Sequence, residues 1–103
     1  MLFIIPYFLF LSSNPYCEIG GSFYIVDSRN EAHYTVFEEE SAVSADLIVF
    51  EHENRLFADR PGHWVFVDNE AFSDYRIYFT KKKSEAEFSV FFTDFESFAG
   101  CNL

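Results

Sequence analysis

An all-β fold of six repeated strand-plus-corner units is what this sequence predicts, and three observations predict it. Half of the 103 residues are apolar and 21% are aromatic, with fifteen Phe and six Tyr, a composition suited to buried, pleated surfaces. The residues Tyr24, Phe37, Phe50, Val65, Tyr78 and Phe91 recur at steps of 13, 13, 15, 13 and 13. Eight residues after each stands a small side chain, Ala32, Ala45, Ala58, Ser73, Ala86 and Ala99, at the same steps. Two columns sharing one spacing mark a tandem repeat. Each unit of about 13 residues reads as a strand of five or six residues followed by a polar corner of seven or eight. One compact domain holds all six.

In chain order, residues 1–16 form an apolar amino-terminal segment and residues 17–103 the single repeat domain. Met1 to Leu11 is broken only by Pro6 and Tyr7. As a helix it would span about 16 Å, half of what a bilayer requires. It reads as a signal peptide or as an extra strand. Against the signal peptide stand the lack of a basic residue before Arg29 and the poor cleavage site around Ser13. The compartment therefore stays open between export and cytoplasm.

The first corner carries Ser28-Arg29-Asn30-Glu31, a capping-box pattern that predicts a single helical turn before Ala32. Similar single turns are expected in the other corners, and nothing longer. In the third unit, Leu47 and Val49 point one way and Ile48 and Phe50 the other, so the strand is apolar on both faces. Such strands are covered on both sides. The two extra residues of that unit fall near Arg60-Pro61-Gly62-His63, a turn sequence where an insertion is cheap. The last units, Tyr75 to Gly100, are the cleanest pair, and their Phe and Tyr residues read as core. The small residue closing each corner leaves room for a passing strand. The residue after it is His33, Asp46, Asp59, Asp74, Glu87 or Gly100, and these acids read as solvated corner surface.

Seven basic residues against seventeen acidic ones, a net charge of −10, exclude a nucleic-acid groove and disfavour an anionic membrane surface. The acidity serves solubility.

The candidate chemistry is thin. Cys17 and Cys101 bracket the repeats, and the expectation is two separate thiols in a reducing cytoplasm, with folding indifferent to reductant. In an exported chain whose termini meet, one disulfide would instead close a loop of about 85 residues. His33, His52 and His63 stand 19 and 11 residues apart in different units, with no zinc-binding spacing. Glu38-Glu39-Glu40 and the acids at Asp27, Glu40, Glu53, Asp68 and Asp94 could gather a hard cation only if corners stacked. Lys81-Lys82-Lys83 either pairs with Glu38-Glu39-Glu40 or stands exposed. No catalytic, cofactor-binding or metal-ligating residue is assigned, and no cofactor is expected.

The phrases VDSRNEAHYTVF, SADLIVF, SDYRIYFT and SEAEFSVFF, and the ending TDFESFAG, resemble the septoil-knot domain family of bacterial proteins across residues 23–100. The resemblance implies an all-β domain whose backbone forms a seven-crossing torus knot, with no established activity. This chain departs from the family phrase at His33, at the Arg60 to His63 insertion, and at Cys101, where related chains tend to have Trp. The function expected is a structural or protein-interaction module without catalysis, its partner another protein or a second copy joined through free strand edges. The alternative is a small hydrolase using paired corner carboxylates.

Overall fold

The computed structural model describes residues 15–101; the apolar run read as leader or extra strand lies outside them. The six expected strands are present: β1 Gly21–Ile25, β2 Tyr34–Glu38, β3 Leu47–Glu51, β4 His63–Phe66, β5 Tyr75–Phe79 and β6 Phe88–Thr93. A short seventh, β7 Gly100–Cys101, was not expected. Every corner contains one 3-10 turn, as the capping pattern of the first corner indicated. No longer helix occurs among the described residues, and no helix there is long and apolar enough to cross a membrane.

Strands β1 to β6 are parallel and close into a barrel in the order β4-β1-β5-β2-β6-β3, with β3 pairing back to β4. The chain thus lays β1, β2 and β3 at alternate positions and later fills the gaps with β4, β5 and β6. Going from β3 to β4 is the one step between adjacent positions. It coincides with the two-residue insertion, because a single-position step needs a different corner from a double one.

Register explains how such short corners can connect parallel strands, which ordinarily takes a dozen residues or more. Phe23 and the residues before it pair with β4, whereas Phe23 and those after it pair with β5. The same half-and-half sharing recurs on β2 and β6. Staggered pairing of this kind tilts the strands steeply about the barrel axis. Each corner then has only a short distance to climb back.

The inward residues Phe23, Val36, Leu47, Val49, Trp64, Ile77, Phe88 and Val90 form the core with Ile19. Their alternate neighbours Ser22, Thr35, Ile48, Val65 and Ser89 are also buried, under the corners. This is the two-sided burial expected of all-parallel strands. Closure overturns one expectation: strands β1 to β6 have no free edges for a second copy to join. Only β7, antiparallel to β3 through Leu47–Cys101 and Ile48–Gly100, adds a short rim.

The two ends of the described segment meet there. Cys17, in the 3-10 turn Pro15–Glu18, is joined by a disulfide to Cys101 on β7, with the Cα atoms 4.8 Å apart. The expectation of two separate thiols is corrected, because folding brings both flanks of the repeats to the same end of β3. Gly62, at φ +80°, also lies at this junction. A Cβ there would sit 2.5 Å from the Gly100 nitrogen and 2.7 Å from the Ile48 carbonyl oxygen, so only glycine fits.

Candidate functional site

The acids that follow the small residues are exposed, as expected, but three of them also hold distant strands. Asp74 accepts the Ser22 backbone N–H at 3.0 Å and its hydroxyl at 3.2 Å, and its own N–H returns to the Ser22 carbonyl at 2.8 Å. Asp46 does the same for Ser89, and Glu87 accepts the Thr35 backbone N–H alone while its own N–H returns to the Thr35 carbonyl. In the first unit His33 replaces the acid, and its Nδ1 accepts the Arg76 N–H at 2.8 Å. These pairs lie 43 or 52 residues apart and serve a strand N–H that the stagger leaves outside the ladder. At these four positions the column is a fold device; Asp59 instead lies 3.7 Å from the Arg60 guanidinium.

The corners carry a second column, missed in the sequence. Ser28, Ser41, Asn54 and Asn69 each turn a side-chain oxygen onto the N–H two residues on. Ser28 therefore takes Asn30, not the Glu31 of the expected capping box. Where Lys82 and Phe95 occupy that position the turn has no side-chain cap, and the Thr80 and Thr93 hydroxyls accept the Lys82 and Phe95 N–H groups instead. The signal was legible as a Ser/Ser/Asn/Asn column four residues after each strand centre.

The corner turns hold apolar side chains in water. Val43, Leu56, Phe57, Phe72, Phe95 and Phe98 are all more than half exposed. Phe95 and Phe98 thus correct the reading of every late aromatic as core. Phe98 packs on Phe95 with ring centres 5.5 Å apart, and Arg55 lies 5.9 Å over the Phe72 ring. The latter contact brings the Arg55–Phe57 and Glu70–Phe72 turns side by side, and Phe57 lies against the His52 ring at 6.2 Å.

At the β3–β4 seam, register sets His52 against His63. Phe50 pairs with His63, and the His52 N–H donates to the Trp64 carbonyl at 2.7 Å. The two rings stack at 5.0 Å, and His52 Nε2 and His63 Nδ1 share a hydrogen bond of 2.7 Å. His63 is 6% exposed. Burial, then the Arg60 guanidinium and His52, push its pKa below the usual imidazole value, against the opposing pull of Glu96 and Asp59. Glu96, from the last turn, stands 4.0 Å from His63 Nδ1 and pairs with Arg60 at 3.1 Å. Arg60, His63, Glu96, Ser97 and Ala99 line a shallow cleft of about 480 Å³. No motif or spacing announces this meeting; His33 lies elsewhere, against Arg76.

Of the opposed charge runs, one pair forms: Lys83 Nζ meets the Glu39 carboxylate, whose side chain is largely buried. The acids Asp27, Glu40, Glu53, Asp68 and Asp94 are all exposed. Calcium chloride is accordingly expected to leave the melting temperature unchanged, and a rise of several degrees in thermal denaturation would restore the hard-cation reading.

A family model described as a 7(1) septoil knot domain matches residues 17–102. Comparison with curated proteins and with solved structures finds no match.

Proposed function

The chain belongs to the septoil-knot domain family, and from that premise we propose that it is a binding module, a rigid barrel that offers aromatic corners to a protein partner. The observation carrying this reading is the exposure of Leu56, Phe57 and Phe72, each 56% or more, on two capped turns that the Arg55–Phe72 contact joins. Large apolar side chains exposed together can mark an interaction site, and aromatic anchors dominate interface energetics. With a net charge of −10, the partner surface is apolar at its centre and basic at its rim. The disulfide Cys17–Cys101 favours action in an oxidising compartment.

The knot belongs to this proposal too. The chain passes round the barrel, leaves alternate positions open, and then threads β4, β5 and β6 between strands already placed. Interleaving of that order supports a knotted backbone.

A selection from a displayed peptide library tests the binding reading. The wild-type protein is expected to enrich basic, aromatic-containing peptides. The Phe57→Ser/Phe72→Ser variant, altered only at exposed positions and so expected to keep its stability, should lose that enrichment. Equal enrichment by both proteins would sink the proposal.

One observation favours hydrolysis instead. Glu51, Glu53 and Asp94 line a cleft of about 390 Å³ beside Phe50 and Phe92. All three acids are exposed, whereas a carboxyl acting as general acid is ordinarily held in an apolar pocket. Binding is the better supported reading.

A further inference from the structure

We propose that His52, His63 and Glu96 form a site for a divalent transition metal of the zinc class. Their ligand atoms all lie within 4.8 Å of one another. Two imidazoles and one carboxylate, with a fourth position left to water, make a recognised zinc donor set. Ligand atoms bound to zinc at about 2.0–2.1 Å in tetrahedral array stand about 3.3 Å apart. Here the His52–His63 separation is 2.7 Å and the His63–Glu96 separation 4.0 Å. The first pair has to open and the second to close by a similar small amount, and the remaining separation, up to 4.8 Å, closes as the Glu96 side chain rotates inward.

The two rings are prepared by the fold. His63 is buried on β4, and His52 is held edge-on to Phe50 at 4.9 Å and stacked on His63. The seam register fixes both backbones. Glu96 approaches from the solvent side, so it is the ligand free to move. Its present partner Arg60 is itself exposed, and giving up an exposed ion pair costs little.

Protons balance without an outside acceptor. In the hydrogen-bonded pair, one neutral imidazole donates its N–H to the other. When the metal takes both facing nitrogens, the donor ring moves its proton to its other nitrogen and each ring stays neutral. The only two cysteines of the chain are tied up in the disulfide, so no thiolate competes for the ion. Imidazole donors select zinc, nickel, copper or cobalt over calcium and magnesium.

The test uses the full oxidised chain, without an affinity tag, titrated with zinc chloride in a calorimeter and melted with and without the metal. One zinc per chain and a rise in Tm of several degrees are expected, together with visible ligand-field absorption when cobalt(II) replaces zinc. His52→Ala and Glu96→Gln change partly and fully exposed residues and should fold. Each is expected to weaken zinc binding by tenfold or more, whereas Glu53→Gln should not change it. No Tm rise at a hundredfold excess of zinc would overturn the site. So would zinc binding of equal strength in His52→Ala, which would place the ion on the acidic corners.

Discussion

Trp64→Ala is expected to lower the stability of the domain by about 3–5 kcal/mol, the cost of removing a large buried aromatic whose cavity cannot close. Trp64 is wholly buried at the barrel centre, stacked on Phe23 at 4.0 Å. It also touches Phe66 and Phe92 edge-on at 6.2 and 6.3 Å. Its indole N–H donates to the Ile19 carbonyl at 3.1 Å, tying the entry segment to the core. Barrel walls of six short parallel strands cannot collapse inward without breaking register, so most of the void should persist. Trp64→Phe keeps most of the apolar contact and removes one of the two hydrogen bonds to the Ile19 carbonyl, which still accepts the Gly62 N–H at 3.1 Å. Its cost should be nearer the net worth of a single hydrogen bond, about 0.5–1.5 kcal/mol. Urea denaturation followed by far-UV circular dichroism measures both, since either variant lacks the only Trp of the chain. A loss below about 1 kcal/mol for Trp64→Ala would contradict a rigid core, given the usual cost of such a deletion.

Replacing both cysteines by serine is expected to cost about 4–5 kcal/mol, by the loop-closure entropy of a bridge spanning so long a segment. The bridge joins residues 84 apart in sequence, so it restrains almost the whole repeat region in the unfolded chain. In the folded state it pins the Pro15–Glu18 turn, where Tyr16 stacks on Phe88 at 4.5 Å, to the last strand. Without it β7 has only two residues on β3 to hold it. Denaturant melts of the oxidised chain, the reduced chain and the Cys17→Ser/Cys101→Ser variant should place the last two together, well below the first. Indistinguishable midpoints would mean that the ends are held by packing alone.

Much of the fold was legible from the residues because the repeat is short and strict. Tyr24, Phe37, Phe50, Val65, Tyr78 and Phe91 all fall inside strands, and Ala32, Ala45, Ala58, Ser73, Ala86 and Ala99 all close 3-10 turns. Local rules suffice for that: alternation of side chains along a strand and the turn-forming habit of Ser and Asn act over a few residues. The candidate site was not legible. His52, His63 and Glu96 belong to three different corners and strands, and no spacing within 44 residues announces that they meet. Asp46, Asp74 and Glu87 are exposed as expected, but their bonds to strands 43 or 52 residues away were not legible for the same reason.

By itself, then, the sequence determined the unit: an apolar strand, a single 3-10 turn and a small closing residue, six times over, in an acidic chain. Only the tertiary structure decided how the units are arranged, because identical strands can pair in sequence order or interleaved with the same local energies. Interleaving puts β5 between β1 and β2 and β6 between β2 and β3. It also removes the free edges, places the histidines at the one irregular seam, and brings Cys17 to Cys101. Those outcomes depend on the ring closing with six positions, a condition on the whole barrel that no single unit contains.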